Sequence, residues 1–362
     1  MSHKTPLFQS HKNLKARFID FAGWRLPFSY TSPGEEHLNT RKSGGLFDVS
    51  HMGEIRVKGK GSLPFLQGLI PTDIQNLNTG QARYSVLCNR EGGLIDDLII
   101  YALSQGEEYL LCVNAATKEK DWLWINSFSS TFDVTVKDES AEWGMVAVQG
   151  PQAIALCEKV FSKMEDMRSL KRFHFTWIED ILISRTGYTG EEGVELYIPR
   201  DKTLRVWENL VKQGQKFSIQ PVGLGARNTL RLEMAYLLSG QDFNESRTPL
   251  EAGLSWLMTN KEDYVGKKEL KKTSVSERLF GFIVEAPSGI PRTGHPVLSG
   301  QGKPVGVVTS GAQSPSLEKM IGLAYIKEEV EDCFVNIHGS SSKITRVSGP
   351  FLKNPGKGAI HE

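Results

Sequence analysis

The sequence predicts an α+β protein with more than one core that ends in a small all-β unit. Three observations carry this. The chain has 362 residues, more than one ordinary core accommodates, so two or three domains are expected. Up to about residue 240, short β-type runs alternate with helical segments and Gly-containing turns, the pattern of antiparallel α+β layers. Beyond about residue 279 the runs LFGFIVE, PVLS, PVGVVTSG, IGLAYI, CFVNI and KITRV are separated only by Gly, Pro, Ser and polar residues, the pattern of a small barrel or sandwich.

Each element has a local reason. In SPGEEHLNTRKSGGLFD, Ser32 is a plausible helix N-cap, Pro33 suits the first helical position, Glu35 and Glu36 favour the positive end of the helix, and Gly44-Gly45 stops it. HMGEIRVKGKGS alternates Met52, Ile55 and Val57 as a strand, and residues 62–70 read as a helix. ARYSVLCN and GLIDDLIIYAL form a hairpin across Asn89–Gly93, YLLCVN is a third strand ending at Asn114, and a helix from about 116 to 128 precedes the strand FDVTVKD. A second α+β stretch follows: the strand GMVAVQG, the helix PQAIALCEKVF, the strand–turn–strand unit WIEDILISRTGYTGEEGVELYIP, and helices over about 202–213 and 223–238. Residues 240–278 read as a connector around GLSWLM.

Composition narrows the function. Hydrophobic residues make up 39% and charged residues 23%, as in a globular, soluble chain. Lys+Arg 43 against Asp+Glu 42 gives a net charge of +1, no footprint of a nucleic-acid binder. The polar N-terminus lacks the apolar core of a signal peptide, and no apolar run approaches the length of a membrane span. Cys88, Cys112, Cys157 and Cys333 are too scattered for a zinc site or a disulfide framework, so reduced thiols in a cytoplasmic compartment are expected. There is no H-E-x-x-H, and no metal site is expected.

The chemistry-bearing residues lie in unusual places. GGLIDDLIIY sets Asp96 and Asp97 inside a strand, where carboxylates are depleted. Neighbouring side chains on a strand point to opposite faces, so the two cannot form a dyad on one surface. Either both are solvated at a strand edge, or one lines a cavity and orients a substrate amine or hydroxyl. In RTGYTGEEGVELYI, Thr189–Gly193 reads as a hairpin turn flanked by Tyr188 and Glu195. A carboxylate within so apolar a strand needs donors, which a heterocycle edge bearing an N–H beside an amino group could supply. In GLGARNTLRLEMAYLLSGQD the glycines are not a dinucleotide fingerprint. Arg227, Arg231, Met234 and Leu238 share one helical stripe, which is either a surface arginine pair over the core or a stripe that turns Arg227 toward a pocket. His51 in FDVSHMGE reads as a satisfied structural histidine. FAGWRLPFSY and GLSWLM read as aromatic packing.

Together these segments resemble the folate-dependent aminomethyltransferase family, the T-protein of the glycine cleavage system. The resemblance is carried by TPLFQSH, DFAGWRLPFSYTS, FDVSHMGE, YSVLCNREGGLIDDLIIY, VNAATKEKDW, SRTGYTGEEGVEL, GLGARNTLRLEMAYLLSGQD and GLSWLM, in order over nearly the whole chain. It implies a three-domain, cloverleaf-like arrangement: residues 1–50 with 140–245, residues 51–139, a connector over 246–278, and a barrel over 279–362, around a central tetrahydrofolate cavity. It implies transfer of the one-carbon unit of an aminomethyl group, borne on the lipoyl arm of H-protein, to tetrahydrofolate. Ammonia is released and 5,10-methylenetetrahydrofolate is formed. By the same resemblance Asp97 is the key carboxylate, Glu195 contacts the pterin with Arg227 as its partner, and Met52, Tyr84, Asn114, Tyr188, Tyr236 and, more loosely, Trp256 line the cavity. A monomer meeting its carrier transiently is implied as well. The terminal NPGKGAIHE lacks the tyrosine or arginine that some relatives carry there, so no tail contact to folate or the lipoyl arm is implied. Flavin-linked demethylating folate enzymes fit less well, because the chain has no dinucleotide fingerprint. Folate-binding proteins of iron–sulfur maintenance carry a cysteine where this chain reads RTGYTGEEG. A non-catalytic folate or carrier-docking module is the remaining alternative.

Overall fold

The fold, taken from a computed structural model, is described for residues 2–161 and 167–353. Two antiparallel sheets pack face to face, and a closed barrel abuts one end of the pair. The first sheet has six strands in the spatial order Phe175–Ile178, Ile181–Ser184, Gly193–Pro199, Trp143–Gln149, Gly45–Asp48 and Gln220–Pro221, with only the last pair parallel. Its central strands are apolar on both faces because both faces are covered. Val146, Val148, Val194 and Leu196 pack under the helices Ala153–Val160 and Arg200–Gly214, where Trp207 and Leu210 meet them. Met145, Ala147, Leu182 and Tyr197 face the second sheet instead. Strand alternation therefore turns Glu195, the neighbour of Leu196, toward the inter-sheet space.

The second sheet has the order Ala82–Cys88, Leu94–Ser104, Glu108–Val113, Gly53–Lys58 and Thr135–Asp138. The hairpin read across Asn89–Gly93 is present. Leu98, Ile100 and Ala102 lie under the helices Ser62–Leu69 and Lys118–Ser127, while Tyr101, Leu110 and Cys112 meet the first sheet. In the hairpin, Leu87 opposes Asp96 and Cys88 opposes Leu94, so Ile95 is an extra residue, a β-bulge one position before the aspartates. From Asp96 to Ala102 the alternation is regular, which places Asp96 on the helix-covered face and Asp97 on the inner face.

The six expected C-terminal strands close into a barrel rather than a sandwich. The closure is the pairing of Glu277–Val284 with Ser340–Val347. Phe282, Val297, Val308, Ala324, Val335 and Ile344 fill its interior.

Three local expectations need correction. Thr189–Gly193 is not a tight hairpin turn; the paired strands stop at Ser184 and resume at Gly193, joined by loop 185–192. The tight turn of this unit sits between Ile178 and Ile181, where Glu179 has φ of 56°. Gly190 in the loop has φ of 78°, and a Cβ there would stand 2.5 Å from Met234 Sδ, so both conformation and space demand glycine. The helix expected over 223–238 covers Leu224–Glu233, because Ala235 turns left-handed at φ 54°. The stripe from Arg227 to Leu238 therefore ends at Arg231. Finally, the aromatic segment before residue 30 is a two-stranded ribbon, Arg17–Phe21 with Trp24–Ser29, not simple core packing. The terminal NPGKGAIHE lies outside the described residues.

Candidate active site

A cavity of about 1170 Å³ lies where the two sheets, the ribbon, the helix Leu224–Glu233 and the barrel converge. Its walls are largely apolar with a few convergent polar groups, the usual make-up of a small-molecule site. Asp97, Glu195, Arg227, Tyr84, Met52, Asn114, Tyr188, Tyr236 and Trp256 all line it. Asp96 does not, as the register requires.

The acidic corner is built from the hairpin and the next strand end. Tyr84, on the strand beside Asp97, donates its hydroxyl to Asp97 Oδ2 at 2.8 Å. Asn114 follows directly on Glu108–Val113, and its side-chain amide nitrogen reaches both carboxylates, Asp97 Oδ1 at 2.7 Å and Asp96 Oδ1 at 2.9 Å. Its backbone N–H donates to Asp96 Oδ2 at 3.0 Å. The aspartates thus face opposite ways yet share one amide at the strand end, a link that alternation alone does not disclose. Burial, then the nearby Asp96, raise the Asp97 carboxyl above the usual carboxylate range, while Tyr84 and Asn114 work against the rise. Burial and the Asp97 charge likewise push the Tyr84 phenol up, so it stays a donor. Trp256, 53% exposed, stacks on Tyr84 at 6.0 Å between centroids and forms the rim.

The opposite wall is basic and aromatic. Glu195 accepts from Thr186 Oγ1 at 2.5 Å. Burial raises its carboxyl, opposed by that hydrogen bond and by Arg227. Arg227 lies over the Tyr188 ring, 4.7 Å from its centroid, and its Nη1 is buried with no hydrogen-bond partner. No ion pair joins Glu195 to Arg227; they face the same space without touching. Tyr188 stacks on Tyr236 at 5.7 Å and donates to the Leu237 carbonyl.

His51 is not the satisfied structural histidine expected. It lines the cavity, is 3% exposed, and leaves Nδ1 without a partner. Burial and the Arg227 charge lower its pKa to about 4, so the imidazole is neutral. Its isolation among apolar residues in FDVSHMGE was the only signal in the sequence, and that signal does not separate a lining histidine from a core one. Of the two readings of the arginine stripe the surface pair fails, because Arg231 is fully buried. Its Nη1 meets Asp242 Oδ2 at 2.7 Å, Nη2 donates to Ser310 Oγ at 2.8 Å, and Nε donates to Asn228 Oδ1 at 2.9 Å. Asp121 was not singled out either; it sits behind Asp96 on the helix Lys118–Ser127, 0% exposed.

Chemically, the cavity offers a carboxylate of raised proton affinity at one end and, across from it, an acceptor and an unpaired cation suited to a flat polar heterocycle.

Residues 7–262 match the family model "GCVT N-terminal domain", and residues 277–353 match the "Glycine cleavage T-protein C-terminal barrel domain". The aminomethyltransferase of Bdellovibrio bacteriovorus is 42% identical over 362 residues, covering 96% of this chain and 99% of that protein. That of Halothermothrix orenii is 46% identical over 332 residues, covering 90% and 91%. The crystal structure of glycine cleavage system aminomethyltransferase T from Bartonella henselae superposes with a TM-score of 0.90 at 31% identity, covering 97% of this chain and 98% of that one. The chain belongs to the glycine cleavage T-protein family of aminomethyltransferases.

Proposed function

We propose that this aminomethyltransferase passes the one-carbon unit of an aminomethyl group, borne on the lipoyl arm of a carrier H-protein, to tetrahydrofolate. The observation that supports this most is Asp97: a buried carboxylate on the cavity wall, oriented by Tyr84 and Asn114 and raised in proton affinity. In the reaction, the methylene carbon loses its bonds to sulfur and to the amino nitrogen and gains two bonds to folate nitrogens. The two folate N–H protons end on ammonia and on the freed thiol, so atoms and charge balance. No nucleophile from the chain is required. Asp97 orients the attacking nitrogen, accepts its proton and stabilises the cation that develops on the carbon. Tyr84 and Asn114 fix the direction of its lone pairs. Glu195 receives the N–H edge of the pterin, and the unpaired Arg227 Nη1 and the Tyr188 face complete that end. Apolar walls from Met52, Leu98 and Ile99 hold water away from the labile carbon. Holding both reactants in one orientation supplies several kcal/mol, with a ceiling of roughly 7–11.

The same reading takes the chain as a monomer of three units, with residues 1–50 and 140–245 around the first sheet, residues 51–139 around the second and residues 279–362 as the barrel. It also places the chain in a reducing, cytoplasmic compartment, supported by four buried free cysteines. Among the described residues no helix is long and apolar enough to cross a membrane.

The test is an assay of the purified chain with aminomethylated H-protein and tetrahydrofolate. Ammonia and methylenetetrahydrofolate are expected in equal amounts, and only with both reactants present. Binding of tetrahydrofolate without turnover would overturn the reading in favour of a non-catalytic module.

A further inference from the structure

Behind the acidic corner lies a group that the reaction just described does not use. Asp121 stands in the first turn of the helix Lys118–Ser127, against the helix-covered face of the second sheet, and is 0% exposed. Both its carboxyl oxygens are sealed from solvent and neither has a hydrogen-bond partner. Thr117 Oγ1 donates to the Asn114 carbonyl at 3.2 Å, and its pull toward the Asp121 carboxylate is outweighed by burial and by Asp96. The polar group it faces is Asp96, within hydrogen-bonding reach. Asp96, by contrast, has two N–H groups aimed at it, from the Asn114 backbone and side chain.

A buried carboxylate with no donor is among the costliest arrangements a fold can hold. Facing another carboxylate makes it worse, unless one of the two carries a proton. The donors decide which: Asp96 receives two N–H groups, whereas the Thr117 hydroxyl beside Asp121 is turned to a carbonyl. We propose that Asp121 is a positioning residue that keeps its proton in the working protein and donates it as a hydrogen bond to Asp96, so that Asp121, Asp96, Asn114 and Asp97 form one braced row.

Each link has a consequence. Asp121 fixes the Asp96 carboxylate, Asp96 fixes Asn114 by accepting from its backbone N–H and its side-chain amide, and Asn114 fixes Asp97 Oδ1. A neutral carboxyl serving as a buried donor is a known device where an apolar site forbids ionisation. Burial, then the Asp96 charge, push the Asp121 carboxyl up to about 10. The charged groups around it are Asp96 across the interface and Lys120 on its own helix; the Lys120 ammonium is drawn outward to Glu245 at 2.8 Å and so does not neutralise Asp121.

The inference rests on the reading of Asp97 as the acting carboxylate, but its most direct test does not. The infrared difference spectrum between the intact protein and Asp121→Asn, at about pH 7 and without substrate, should show the carbonyl band of a neutral buried carboxyl lost in the variant. Absence of that band means Asp121 is ionised and overturns the proposal, whatever the chain catalyses. Turnover gives the second arm. Asparagine can donate to Asp96 as the neutral acid does, so Asp121→Asn should keep at least about a third of kcat, whereas Asp121→Ala should lose about tenfold or more with little change in KM. Equal loss in both variants, or no loss in either, contradicts the positioning role. Should Asp121→Ala fail to fold, the infrared band and the retained kcat of Asp121→Asn still decide the matter.

Discussion

Arg227 and Arg231 sit one turn apart on the same helix and have opposite fates. Arg231 is locked between Asp242, Asn228, the Tyr236 carbonyl and Ser310 of the barrel. Arg227 leans on the Tyr188 ring with one guanidinium nitrogen unpaired. The contrast extends to the carboxylates. Glu233, at the helix end, is held by Arg41, His37, Ser314 and Ser316, and Asp242 accepts from Arg231, Thr309 and Ser310. Glu195 has one side-chain donor, Thr186, and Asp97 is held from the side by Tyr84 and Asn114 with its cavity face open. Arg231 and the carboxylates that fasten the barrel to the sheets are satisfied within the chain; Arg227, Glu195 and Asp97, which face the cavity, are left short. A buried polar group left short is costly, so the shortfall marks where a substrate supplies the missing partners.

Substitutions can separate the two regions. Asp97→Asn should lower turnover by about 10²–10⁴-fold while tetrahydrofolate affinity, followed by calorimetry, stays within about tenfold, because the isosteric amide keeps the packing but accepts no proton. If its unfolding midpoint falls as far as that of a fastening variant, the distinction between the regions breaks. Asp242→Ala is such a variant. It strands the buried Arg231 and should cost about 3–5 kcal/mol in urea unfolding. Glu195→Ala should weaken tetrahydrofolate binding by about tenfold or more, the loss of a hydrogen bond to a charged group, with little effect on unfolding. Unchanged affinity would make Glu195 structural.

Loss of stability in acid should come from the fastening region, whose carboxylate is held low, and not from the raised carboxyls of the cavity. Burial raises the Glu233 carboxyl, but the hydrogen bond and charge of His37 and the Arg41 guanidinium outweigh it and hold it at about 2, against an ordinary 4.5. Its contribution is complete above about pH 4.5 and is lost as pH falls through 2. Glu233→Gln should therefore flatten the acid limb of a stability–pH curve; an unchanged limb would assign acid sensitivity elsewhere. The smallest effect is expected of Trp256→Ala at the rim. It removes the stack on Tyr84 and should cost tenfold at most, about 0.5–1.5 kcal/mol, in kcat/KM.

Much of this was legible in the residues, for physical reasons. The hairpin at Asn89–Gly93 and the six barrel strands announce themselves because alternation and Gly or Pro punctuation are local properties. The capped start at Ser32 is local as well; its hydroxyl accepts from the Glu35 N–H at 3.3 Å. What stayed hidden is non-local. Nothing in LEMAYLL signals that Ala235 turns left-handed, so the helix was read one turn too long. A bulge at Ile95 leaves no mark in sequence, and barrel against sandwich turns on one strand pairing, Glu277–Val284 with Ser340–Val347. Periodicity could state that Asp96 and Asp97 diverge but not which faces the cavity. The family resemblance named Asp97, and the register places it on the cavity wall. That Asn114 reaches both aspartates, that Asp121 backs them, and that His51 lines the cavity all depend on which elements meet in space.

The central claim is that the groups left short around the cavity are completed by tetrahydrofolate, and a crystal structure of the complex tests it most directly. The account predicts the pterin N–H edge on Glu195, an acceptor on Arg227 Nη1, and a reactive folate nitrogen within hydrogen-bonding distance of Asp97. A complex in which folate lies away from Asp97 and leaves Arg227 unpaired would contradict it.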